Sequence, residues 1–298
     1  MRRPKPVTTT PPALVRRSVG PSGAPPCSTM ARRAFLHRLS LFAGSATAIG
    51  AGLQLLEGGR ALAAIVPEGD PRLNIAFVNY DSPYGPMKAY TARLRETRKQ
   101  PSVLVVHDAL GLTPHYQDIV RRLAIEGYYA MAVDGLSPLG GTPPDSDQAR
   151  KMIPRLDPAG TLQAFDTGLA WLKSNLNTTD RIGAVGFGWG GALVNRMATS
   201  GGDLTAGVVY DGAPPPLAEV SKIKAALLLQ NVAGDRQVGA RLSAYIEALK
   251  AAGVRYETYT YQDTDRGFSN DTRPDRYDEA AAKLAWSRTV AFLKAALA

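Results

Sequence analysis

Four glycines in six residues, Gly186-Phe187-Gly188-Trp189-Gly190-Gly191, constrain this 298-residue chain more than any other segment. The apolar run 181–187 reads as a buried strand and residues 192–199 as a helix. A strand that turns directly into a helix through glycines brings backbone against backbone, where side chains would collide. Two chemistries use such a turn. In one, Gly186, Gly188 and Gly191 fit G-x-G-x-x-G and cradle a pyrophosphate, with Asp211 at the end of the next strand placed for a ribose. In the other, the turn is a nucleophile elbow, whose apex residue stands above the sheet on a strained backbone. A dinucleotide-binding unit normally starts with its glycine motif, whereas here a long stretch of strand and helix pattern precedes it. That order favours the elbow.

The rest of the pattern says what fold the turn belongs to. Strand-like runs at 102–107, 129–133, 204–210, 225–230 and 255–261 alternate with helical patterns at 115–126, 158–175, 239–252 and 277–296. The 158–175 helix carries Leu162, Phe165, Leu169 and Leu172 on one stripe, and Gly127 suits the C-terminal cap of the 115–126 helix. Segments 74–80 and 87–94 read as an antiparallel lead-in pair, and the stretch through Gly140, Gly141, Pro143 and Pro144 as a loop. The expectation is an α/β domain over 64–298 with a mostly parallel central sheet and helices on both faces. Ligands then bind at the carboxyl ends of the strands.

The chain carries a formal charge of +9, which invites a nucleic-acid reading, but the charge is not spread along it. Residues 1–63 hold nine basic side chains against Glu57 alone, leaving +1 for residues 64–298. The basicity belongs to a leader, so no nucleic-acid partner is expected. Residues 1–29 are Pro- and Thr-rich without periodicity, and read as a disordered or mis-called start before Met30. Ala31-Arg32-Arg33-Ala34-Phe35-Leu36 resembles a twin-arginine export motif, an uncharged stretch runs to Leu56, and Ala61-Leu62-Ala63 gives an A-x-A cleavage pattern. Residues 30–63 are therefore expected to be a signal peptide read by the twin-arginine machinery, with a periplasmic or secreted product. An uncleaved membrane anchor is the alternative, and membrane contact is otherwise not expected.

Cysteine usage narrows the chemistry of the body. The one cysteine is Cys27, in the leader, so residues 64–298 have no thiolate nucleophile and no cysteine metal site. Of the three histidines, only His107 and His115 fall in the body. His107, at a strand end, is expected to be structural, and His115, at a helix start, a surface or capping residue. Asp263, Asp265, Asp271, Asp275 and Asp278 do not follow calcium-loop spacing, so 263–278 reads as a solvated loop. No metal or cofactor is expected.

From about residue 72 to the C-terminus the chain resembles the dienelactone hydrolase (carboxymethylenebutenolidase-like) family of α/β-hydrolases, and exported members with a twin-arginine leader in particular. The resemblance is carried by Val105-Val106-His107-Asp108-Ala109-Leu110-Gly111-Leu112, the glycine elbow, Ala233-Gly234-Asp235, and Gly267-Phe268-Ser269-Asn270-Asp271 ahead of Tyr277-Asp278-Glu279-Ala280. It implies the α/β-hydrolase fold and ester or lactone hydrolysis. It also implies a cysteine nucleophile at the position of Gly188, a triad acid at Asp235, a triad histidine at the position of Arg266 and a neighbouring glutamate at the position of Asp108. The oxyanion hole falls on the backbone N–H groups of Trp189 and Ala109. This chain keeps the acid and lacks both nucleophile and base, so the expectation is a pseudo-hydrolase that binds a small carboxylate, ester or lactone. Two alternatives stand beside it. One is an active hydrolase that works without a thiol through Asp108, Asp235 and the oxyanion hole, with Ser269 assisting. The other is a dinucleotide-binding oxidoreductase. Arg266 is expected to pair with Asp235.

Overall fold

The valine-rich run after Gln100 has no polar face, and a strand of that kind is stable only where both of its faces are covered. The computed structural model describes residues 65–96, 98–233 and 236–298, with residues 236–240 described by their backbone alone. In it the run becomes β3 (Gln100–Val106), near the middle of a sheet that has eight strands among the described residues. Val103 and Val105 face one core, with Tyr116, Ile119, Leu123, Phe292 and Leu293. Leu104 and Val106 face the other, with Phe165, Leu172, Val194, Tyr245 and Leu249. The two-residue period of a strand thus divides one sequence run between two hydrophobic layers.

The other strands are β1 (Leu73–Ser82), β2 (Gly85–Leu94), β4 (Tyr129–Val133), β5 (Thr178–Phe187), β6 (Ala206–Tyr210), β7 (Ala226–Val232) and β8 (Tyr256–Tyr261). Their spatial order is β1-β2-β4-β3-β5-β6-β7-β8. β1 pairs with β2 and β2 with β4 antiparallel, and all later pairs are parallel. The α/β-hydrolase architecture, a mostly parallel sheet between helices with an antiparallel lead-in, is as expected.

Six helices complete the described fold: α1 (Pro114–Ile125), α2 (Ser146–Met152), α3 (Pro158–Ser174), α4 (Trp189–Thr199), α5 (Arg236–Ala251) and α6 (Glu279–Ala296). α1 and α6 cover one face of the sheet, and α3, α4 and α5 the other. α1 ends in a Schellman motif. Gly127, at φ +97°, donates its N–H to the carbonyl of Ala124, and Tyr128 donates to Leu123, which closes the helix as its glycine predicts. α2 is not anticipated by the apolar pattern. Its sequence is almost wholly polar, and the Asp145 carboxylate starts it by accepting the N–H of Asp147.

From β3 the chain crosses to β4 on one side, then returns past β3 to β5 on the other. Consecutive connections therefore diverge above the carboxyl ends of β3 and β5, and a crevice opens where they part.

Candidate functional site

Two turns meet at that crevice. β3 runs into His107, Asp108 and Ala109, and β5 runs into Gly188 and the start of α4. Gly188 caps α4 with φ +52° and ψ −108°, a backbone that side-chain-bearing residues rarely adopt. Its N–H donates to the Tyr210 carbonyl at 2.8 Å, fixing the turn to the end of β6. The other glycines are there for space. A Cβ on Gly186 would lie 2.3 Å from the carbonyl oxygen of Gly190. One on Gly190 would lie 2.3 Å from the carbonyl oxygens of both Val106 and His107, and one on Gly191 2.9 Å from that of Tyr210. At Gly188 the nearest neighbour of such a Cβ is the Cβ of Asp108, 3.8 Å away. A side chain at 188 therefore has room and points beside Asp108, as the apex of an elbow does. The packing of the turn accounts for Gly186, Gly190 and Gly191 without a pyrophosphate.

A cleft of about 400 Å³ lies above the turn, walled by Asp108, Ala109, Tyr116, Gly188, Trp189, Asp211, Arg266, Ser269 and Asn270, with Arg150, Arg273 and Arg276 at its margin. Asp108 is half-buried and accepts the Leu110 N–H through Oδ1 at 2.8 Å. Burial and the adjoining Asp108 charge hold the Tyr116 phenol protonated, well above its ordinary range. Trp189 opens α4, so its N–H is among those at a helix start that have no partner within the helix. Arg266 donates from Nη2 to the carbonyl of Asp211 at 2.7 Å. Asp211 itself has φ +50°, unusual for a residue with a side chain, and its Oδ1 accepts the Val232 N–H at 3.0 Å.

Of the residues singled out in the sequence, Asp108, Ala109, Gly188, Trp189, Asp211, Arg266 and Ser269 line this one cleft. Asp235 lies outside the described residues, and with it the expected Arg266–Asp235 pair. The sequence did not single out the three further arginines, because they arrive from α2 and from the loop before α6, far apart in the chain.

Both histidines are accounted for within the fold. His107 is fully buried and stacked on Trp189, with ring centroids 5.3 Å apart. Its Nε2 accepts the Gly135 N–H at 2.9 Å, so Nδ1 carries the proton and donates to the Asp108 carbonyl at 2.6 Å. Burial pushes this imidazole below its ordinary value, toward the neutral form. His115 is not a surface residue, contrary to expectation. Its side chain is 1% exposed and its Nδ1 meets Asp271 Oδ1 at 2.9 Å, because the 263–278 segment folds back over the start of α1. That segment is not uniformly solvated either. Burial raises the Asp271 carboxyl, but hydrogen bonds from His115 and Arg122 and the Arg122 charge outweigh it and bring the value down to about 2. Among the described residues no three His, Cys, Asp or Glu side chains converge in a way that could hold a metal ion.

Comparison with known proteins agrees with this geometry. The chain is 38% identical over 107 residues to the "Putative hydrolase fragment YghX" of Escherichia coli K12, covering 35% of this chain and 92% of that one. It is 27% identical over 246 residues to a "Putative carboxymethylenebutenolidase" of the same organism, covering 77% of this chain and 90% of the relative. The crystal structure of a "Putative Dienelactone Hydrolase" from Klebsiella pneumoniae superposes with a TM-score of 0.67 at 26% identity, covering 74% of this chain and 98% of that one. The model of the dienelactone hydrolase family matches residues 87–297, and the chain belongs to that family.

Proposed function

We propose that this protein is a dienelactone hydrolase family member impaired in covalent catalysis, which uses the old active-site cleft to bind a small carboxylate, ester or lactone. Gly188 carries the reading. It stands at the apex of the elbow, with the apex conformation and with space for a side chain, yet offers no nucleophile. At the position that the resemblance gives to histidine stands Arg266, and a guanidinium does not take up and return protons near neutrality. Arg266, Arg150, Arg273 and Arg276 line the cleft beside Asp108 and Asp211, and an anionic ligand would share these guanidinium groups with Asp147, the partner of Arg150, and Asp275, the partner of Arg273 and Arg276. The N–H groups of Trp189 and Ala109 are assigned to the oxyanion hole, and such donors keep part of a rate enhancement when a triad is lost.

A second reading keeps the chain catalytic, with Asp108 and Asp235 activating water. It is favoured by the position of Asp108, whose Cβ would lie 3.8 Å from a Cβ at position 188. The test is hydrolysis of 4-nitrophenyl acetate and dihydrocoumarin by the natural chain beside Gly188→Cys/Arg266→His. A silent natural chain and a double variant faster by about 100-fold or more would establish a lost triad in an intact cleft. Turnover by the natural chain that is abolished by Asp108→Asn would overturn this in favour of the second reading. We further propose that the product is exported by the twin-arginine route to the periplasm or beyond. Among the described residues no helix is long and apolar enough to cross a membrane.

A further inference from the structure

A line of charged side chains joins the first described residues to the wall of the cleft. Asp118, buried on α1, accepts the Ile65 N–H through Oδ2 at 3.1 Å and the Val66 N–H through Oδ1 at 2.9 Å. The neighbouring Arg121 donates from Nε to the Val66 carbonyl at 2.6 Å, so this backbone is held from both sides. One helical turn on, Arg122 donates from Nε to Asp118 Oδ2 at 2.8 Å, and its Nη2 contacts both Asp118 and Asp271. Asp271 takes its other bond from His115. The residue before it, Asn270, lines the cleft with Ser269 and Gly267. Two carboxylates from distant parts of the chain thus share one guanidinium fork, and Asp118 and His115 are almost wholly buried.

Burying such a network offsets much of its Coulombic gain by desolvation, so it contributes more to geometry than to stability. We propose that Arg122 and Asp271 are positioning residues for the cleft. They brace the 267–270 wall against the backbone of Ile65–Val66, so a change at that segment alters the cleft. This rests on the reading of the cleft as a ligand site, but its test does not need hydrolysis. The guanidinium is the coupling element: Nε and Nη2 hold Asp118 Oδ2 together while Nη2 also reaches Asp271, a placement that the single nitrogen of a shorter-headed lysine would have to reproduce alone.

The full chain carrying Cys27→Ser and Gly188→Cys has a single thiol at the elbow. Its reaction with neutral 4,4′-dithiodipyridine reads access to the cleft, and hydrogen exchange in 263–278 reads the wall in the unsubstituted chain. Asp118→Asn, at a residue that does not line the cleft, is expected to change the thiol rate by about threefold or more and to raise exchange in 267–271. Adding Asp271→Asn is expected to contribute little beyond that, because both break one network. Lys173→Gln, which removes an exposed pair with Asp203, is expected to change neither. Arg122→Lys, which keeps the charge, carries the same test if Asp118→Asn fails to fold. The proposal is overturned if Asp118→Asn and Arg122→Lys leave both readouts unchanged, or if Asp118→Asn and Asp271→Asn act additively. Either result is independent of whether Gly188→Cys/Arg266→His gains activity.

Discussion

Gly188 and Gly190 lie two residues apart in one turn and are glycine for different physical reasons. Gly190 is closed in by the carbonyl oxygens of Val106 and His107 at 2.3 Å, both belonging to the end of a central strand that cannot move aside. Gly190→Ala is therefore expected to cost about 3 kcal/mol or more, at the upper end of overpacking effects. Gly188→Ala meets no atom closer than 3.8 Å and has only its backbone conformation to maintain, for a cost of about 1–2 kcal/mol. Urea unfolding of the two variants checks the ordering, and equal losses would mean that the apex is as crowded as the turn behind it. Spacing in the sequence showed that these glycines form a strand-to-helix turn. It could not show which of them was forced, because the deciding atoms belong to β3, some 80 residues earlier. His115 escaped the sequence for the same reason. Its partner Asp271 is 156 residues away, and a helix start says nothing of what folds over it.

At the scale of elements, the strands and long helices were legible wherever burial dictates a period. The β3 run, the α3 stripe and the Gly127 cap all appear as the pattern predicts. α2 was not legible, because a short polar helix held by a side-chain cap has no apolar period to read. Neither did periodicity show how buried a charge on a helix would be, and two aspartates illustrate the consequence. Asp166 lies on α3 with Oδ1 buried and unpartnered among the described residues. Burial pushes it up to about 6, against a weaker hydrogen bond from Ser200. A carboxyl raised in the native state holds its proton more tightly folded than unfolded, so its effect on stability is lost as pH rises from about 4 through about 6. Asp166→Asn is thus expected to stabilise the protein at pH 8 by about 1–2 kcal/mol, allowing for partial solvent screening, and to change nothing below pH 4. Asp271 has the opposite sign. Its carboxyl is depressed to about 2, so its contribution is present above about pH 4 and lost as pH falls toward 2. Asp271→Asn should flatten the acid limb of the stability curve in that window. Urea midpoints measured across pH 2–8 test both, and a gain from Asp166→Asn that persists at pH 3 would rule out ionisation as its cause.

At the scale of the molecule, charge and cysteine are unevenly distributed along the chain. The segment 1–63, which we propose is a leader, holds +8 of the +9 formal charge and the one cysteine. The sheet it precedes is built from pairings distant in sequence, such as Val106 with Gly186. The twin-arginine route carries folded proteins, and a body without cysteine needs no oxidising compartment to complete its fold. A fold that completes without oxidation can form before export, which makes Arg32 and Arg33 the residues to change. Lys substituted at both is expected to leave the full-length chain in the cytoplasm, folded and protease-resistant, while the natural chain reaches the periplasmic fraction with Ala64 as its first residue. Fractionation with N-terminal sequencing decides it. Export of the Lys-Lys chain would remove the twin-arginine reading, and recovery of the natural chain uncleaved with the membrane would make the leader an anchor instead. Neither result bears on the elbow itself, whose residues 186–191 lie within the described fold.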